Sequence, residues 1–121
     1  MPKKSPKYYK EAQKYLVGGV NSPLRAFGPV GGKPLFVTKG QGSRVKDIDG
    51  KEYIDYVGAY GPLILGHAHP KVVAAVKKVI TTGSAFGTNT AAETELAKEI
   101  CRAYPSIERL RFTNSGTEAV M

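Results

Sequence analysis

The chain has 121 residues, 41% of them hydrophobic and 23% charged, the balance of a globular protein with one modest domain. No apolar run approaches the roughly 18 residues that cross a bilayer and the N-terminus lacks the apolar stretch of a secretory leader, so the sequence points away from membrane partners and toward a cytoplasmic location. The net charge of +8 raises a nucleic-acid partner, yet Lys3, Lys4, Lys7, Lys10 and Lys14 against Glu11 put half of that excess in a terminal arm.

Tyr8, Tyr9 and Tyr15 interleave with those lysines, as in a single-strand binder, but they suit equally a short amphipathic helix docked on a core. No nucleic-acid role is expected. The lone Cys101 cannot form an internal disulfide, and its helical spacing from Ala97 reads as a packed thiol.

In chain order, residues 5–16 form a predicted helix, with Pro6 tolerated in its first turn and Gly18-Gly19 closing it. Residues 18–34 hold too many glycines and prolines for a regular element, yet Val20, Leu24, Phe27 and Val30 punctuate them. A loop so long and apolar is tied to a body or functional. Arg25 within it is either a solvated loop residue or a permanently charged fork for a carboxylate.

From residue 35 to 57 the pattern turns to period two. Segments 35–38, 44–48 and 52–57 are predicted strands of a small antiparallel meander, with Asp49-Gly50 as a hairpin turn. Asp47-Ile48-Asp49-Gly50 does not space its oxygens as a calcium loop does. Gly66-His67-Ala68-His69-Pro70 offers two histidines but no further ligand at a recognised metal spacing, so a tight helix entry with Pro70 in its first turn is the expectation.

Val72, Val73, Val76, Val79 and Ile80 make one apolar stripe on a helix ending at Gly83. Thr90 and Glu93 have capping-box spacing for a second helix. Its expected buried face is Ala92, Leu96, Ala97, Ile100, Cys101 and Tyr104, and Pro105 stops it. Residues 107–113 are then a predicted strand. Ser115-Gly116-Thr117-Glu118 is a strand-to-helix turn with a second capping-box spacing. Exposed first-turn amides there, Gly116 and the hydroxyls of Ser115 and Thr117 suit a phosphate, although a plain helix cap is the alternative; no G-x-G-x-x-G or G-x-x-x-x-G-K-[ST] accompanies them. Helix, helix, strand, turn, helix is the grammar of an α/β layer, and a layer with one strand looks unfinished.

Four motifs in one register carry a resemblance: Gly18-Gly19-Val20-Asn21-Ser22-Pro23-Leu24-Arg25-Ala26-Phe27; Asp47-Ile48-Asp49-Gly50 with Tyr53-Ile54-Asp55-Tyr56; Gly66-His67-Ala68-His69-Pro70; and Asn114-Ser115-Gly116-Thr117-Glu118-Ala119. Together they closely resemble the N-terminal part of the glutamate-1-semialdehyde 2,1-aminomutase family, within the wider class-III aminotransferases. The resemblance implies a fold-type-I α/β enzyme using pyridoxal 5′-phosphate, in its pyridoxamine form for part of the cycle, to isomerise glutamate-1-semialdehyde to 5-aminolevulinate for tetrapyrrole synthesis. The chain would supply a helical arm (1–17), a substrate loop and meander of the small domain (18–66) and the beginning of the cofactor-binding large domain (67–121), apparently truncated there.

By the same resemblance Ser115, Gly116 and Thr117 belong to the cofactor phosphate cradle. Arg25 would hold the substrate carboxylate, with Ser22 matching a substrate-binding serine of the same loop and Tyr60 where related enzymes place a tryptophan beside the substrate. The Schiff-base lysine would lie beyond residue 121, so no catalytic residue is assigned here, and the chain alone is expected to be inactive. A homodimer is implied. The rivals are a class-III aminotransferase with an external acceptor and an inactive product that only binds a partner.

Overall fold

The structure, a computed structural model, describes residues 3–121; the first two residues of the expected arm lie outside the described residues. It divides into two compact units, Met1–Val79 and Ile80–Met121.

The first unit opens with helix α1 (Lys4–Ala12), which ends four residues before the expected helix, because the chain leaves it through tight turns at residues 13–16. No side chain next to the helix in sequence caps its start. The Asp49 carboxylate does so from the meander, accepting the Lys4 and Ser5 amides and the Ser5 hydroxyl. Tyr8 lies against Phe36 with ring centroids 6.1 Å apart. Gly19 is buried beneath Tyr9, where a Cβ would come within 2.7 Å of the ring.

The breaker-rich loop is three successive 3-10 turns, Val17–Gly19, Pro23–Ala26 and Gly28–Val30. Phe27, between the last two, adopts a left-handed φ of 58°. The loop is thus built of fixed turns.

Strands β1 (Val37–Gln41), β2 (Arg44–Asp47) and β3 (Glu52–Ile54) form the expected antiparallel meander in the order β1-β2-β3. The tight two-residue link falls at Gly42-Ser43, between the pair Gln41 and Arg44. The second link is wider than Asp49-Gly50 alone. Gly50 N–H donates to Asp47 O at 3.0 Å and Asp47 N–H to Lys51 O at 2.9 Å, a three-residue turn with Gly50 at φ +88°. Asp47 is 5% exposed and accepts from the amides of Asp49 and Lys51 and from the Tyr53 hydroxyl. That bond to Asp47 is the main reason the Tyr53 phenol is pushed above its ordinary pKa.

Helix α2 (Pro70–Ile80) begins at Pro70 as the sequence implies. Its valine stripe stays open, Val72 and Val76 being about half exposed, and with Leu63 and Leu65 it lines an apolar groove of about 690 Å³.

In the second unit, helix α3 (Ala91–Ala103) follows Thr90, whose hydroxyl bonds the Glu93 carboxylate at 3.1 Å and caps no backbone amide. Of the expected buried face, Ala97, Ile100 and Cys101 are half-buried, whereas Ala92, Leu96 and Tyr104 are exposed. The strand expected over 107–113 is not formed: no neighbouring strand among the described residues offers a ladder, so the segment follows the flank of α3, with Arg111 and Phe112 beside Leu96. Helix α4 (Gly116–Val120) closes the unit.

Candidate functional site

Ser22 and Arg25 come together in one 3-10 turn. Ser22 is the half-buried residue before Pro23, in extended conformation, and its carbonyl accepts the Arg25 amide at 2.9 Å. Pro23 presets the backbone angle that starts this turn. The Arg25 side chain is exposed and belongs to no ion pair among the described residues. A guanidinium held on a fixed turn and uncommitted to a protein carboxylate can receive a carboxylate from outside.

Tyr60 stands on a different turn of the same unit. Gly58, Ala59, Tyr60 and Gly61 have φ of 53°, 53°, 64° and 119°, four successive residues of left-handed sign. Two of them carry a Cβ, which makes the conformation costly, by about 1–2 kcal/mol for each such residue. The result is a phenol standing 67% exposed.

What holds this turn escaped the sequence reading. Asp55 Oδ1 accepts from Val57 N–H at 2.9 Å and Gly58 N–H at 3.1 Å, while Oδ2 lies 2.6 Å from His67 Nε2. These three bonds, led by His67, lower the Asp55 pKa, so the carboxylate is ionised at neutral pH and the imidazole Nε2 carries the proton between them. His67 is fixed in turn. Its backbone exchanges bonds of 2.9 and 2.8 Å with Gly42, and its ring packs on Gly40, where a Cβ would approach to 2.6 Å. The two histidines therefore do not act as a pair: His67 belongs to Asp55, and His69 Nδ1 is enclosed without a partner among the described residues. The legible signal was an acid and a histidine in adjacent glycine-rich motifs; their meeting needs the Gly42–His67 bridge, which no local pattern announces.

In the second unit Ser115 caps α4. Its Oγ accepts the Glu118 amide at 3.2 Å and donates to Glu118 Oε2 at 2.8 Å, so the cap is present while the Glu118 carboxylate bonds the Ser115 hydroxyl and not its amide. The first-turn amides of Gly116 and Thr117 have no acceptor within the helix, and the space around Gly116 is open within 4 Å of where a Cβ would stand. Two amides, two hydroxyls and an open approach fit a phosphate, with the Ser115 hydroxyl turning from Glu118 toward it.

The model of the class-III aminotransferases matches residues 27–121. The chain belongs to that family. This class-III chain is 57% identical over 118 residues to glutamate-1-semialdehyde 2,1-aminomutase 2 of Brevibacillus brevis, covering 98% of itself and 28% of that protein. It is 61% identical over 113 residues to the glutamate-1-semialdehyde 2,1-aminomutase of Persephonella marina, covering 93% of itself and 26% of the relative. It superposes on a solved transaminase with PLP bound at a TM-score of 0.87 and 39% identity, over 97% of this chain and 27% of that one. The class-III chain thus spans about a quarter of the length of the proteins it matches.

Proposed function

We propose that these residues contribute to a pyridoxal-phosphate-dependent aminomutase that converts glutamate-1-semialdehyde to 5-aminolevulinate. The observation that carries the reading is the identity of 57% to an aminomutase over 98% of the chain, which includes the Ser22–Arg25 turn, the Tyr60 turn and the Ser115 cap. When bound, the cofactor supplies the electron sink for moving an amino group between adjacent carbons. Arg25 binds the substrate carboxylate and orients both carbons, Ser22 supports that loop from within the turn, and the Tyr60 ring covers the substrate from the side and excludes water. Ser115, Gly116 and Thr117 hold the cofactor phosphate through their amides and hydroxyls. Residues 18–66 belong to the small domain and 67–121 to the cofactor-binding domain of a cytoplasmic homodimer.

The transaminase at 39% identity supports a second reading, transfer to an external acceptor. One assay separates the two. The intact protein carrying these residues, loaded with pyridoxal phosphate, forms 5-aminolevulinate from glutamate-1-semialdehyde with no 2-oxo acid added; an absolute need for a 2-oxo acid supports the transaminase instead. In the same assay Arg25→Ala lowers kcat/KM by about 10- to 100-fold, the factor for losing charge-assisted bonds to a carboxylate.

A further inference from the structure

We propose that Asp55 and His67 are positioning residues for Tyr60: their pair locks the left-handed turn at residues 58–61, and through it the place of the phenol beside the substrate. The inference rests on the aminomutase reading for the substrate and on the geometry for the lock.

Four residues of positive φ in succession do not persist by local preference when Ala59 and Tyr60 are among them. The turn needs outside support, and the structure supplies it at one atom group. Asp55 Oδ1 collects the two amides that open the turn, Val57 and Gly58, so it fixes where the chain enters the left-handed run. The Tyr60 amide then closes on Val57 O at 2.9 Å, and the Leu63 amide reaches Gly58 O at 3.3 Å.

A carboxylate gripping two amides could still swing about its own Cα–Cβ bond. His67 prevents this by holding Oδ2 at 2.6 Å from a ring that cannot itself move, since its backbone is paired with Gly42 and its ring rests on Gly40. Asp55 is anchored from its backbone as well, its amide donating to Ser43 O at 2.8 Å. The lock thus ties the Tyr60 turn to both ends of the β1–β2 hairpin link. Asp55 Oδ1 and Oδ2 and His67 Nε2 are all engaged within the lock. Their effect passes through the turn.

The test uses the intact, cofactor-loaded protein with His67→Ala, His67→Gln and Asp55→Ala, alone and combined with Tyr60→Ala. Hydrogen exchange at Val57 and Gly58 is followed together with KM and kcat for glutamate-1-semialdehyde. His67→Ala and Asp55→Ala speed exchange at those amides by about tenfold, the size of effect of losing one bond to a charged group. Both raise KM with a smaller change in kcat, and His67→Gln, whose amide nitrogen replaces Nε2, restores most of the protection and most of the KM. In the Tyr60→Ala background the His67 substitution adds little, because both act on one group.

Unchanged exchange in both alanine variants overturns the lock. Faster exchange with kinetic effects fully additive to Tyr60→Ala overturns the positioning of Tyr60. Faster exchange in the alanine variants, with a wild-type protein that shows no aminomutase turnover, supports the lock and counts against the proposed reaction.

Discussion

At the scale of single residues, the first unit is organised by small groups in places where only they fit. Gly40 lies under the His67 ring and Gly66 lies against the Gly42 carbonyl, with 2.6 Å and 2.7 Å available to a Cβ. Ala59 is the opposite case, a residue with a Cβ held at φ 53°, ψ 33° by its neighbours. Ala59→Gly removes that steric cost and is expected to raise stability by about 1 kcal/mol in urea unfolding of the intact protein, offset in part by the greater freedom of the unfolded chain. A loss of stability on this substitution would show that the left-handed turn is not under strain. Positive φ at Gly18, Gly50 and Gly66 was legible in the sequence because glycine announces it. At Ala59 and Tyr60 it was not, since the cause is Asp55, a residue that local pattern assigned to the strand 52–57, whereas β3 ends at Ile54.

At the scale of elements, α1 owes its start to a partner 45 residues away in sequence, the Asp49 carboxylate. Its bonds to the Ser5 hydroxyl, first, and the Lys4 amide hold the Asp49 pKa below its ordinary value. The folded state therefore binds the Asp49 proton less readily than the unfolded chain does. The docking of α1 is fully favoured above about pH 4, where an unfolded aspartate is ionised, and is lost as the pH falls through the lowered folded value. Lowering the pH from 6 to 3 is expected to open α1 several-fold, measured by exchange of the α1 amides after correction for the intrinsic pH dependence of exchange. Asp49→Ala should show that opening at neutral pH and lose the pH dependence. The positions of α1, α2, α3 and the meander followed from periodicity and punctuation. The expected strand at 107–113 did not, because a strand is a property of a pair: its apolar alternation is legible, but the partner that would make a ladder is not among the described residues.

Across the whole chain, no hydrophobic side chain among the described residues is fully buried. The face of α2 leaves Val72, Val76, Val79 and Ile80 about half exposed or more, and that of α3 leaves Leu96 so. A polypeptide of these 121 residues alone is expected to brighten an apolar dye such as ANS several-fold more, per unit mass, than the intact protein does. Equal brightness would mean that these faces stay uncovered in the intact protein too. This openness also explains which parts of the candidate site the sequence could reveal: the Ser22–Arg25 and Ser115 turns are made by neighbours in the chain, whereas the Tyr60 support needs two segments to meet.

The distant cap on α1 has a consequence for how the protein is made. A nine-residue helix is too short to hold its shape in water unaided. At ribosomal speeds of about 5–20 residues per second, the arm waits roughly 2 to 9 seconds for Asp49 to be synthesised. During that interval the lysine-rich segment 3–16 is an unfolded thread, made before the residue that caps it and among the later parts of its unit to take form.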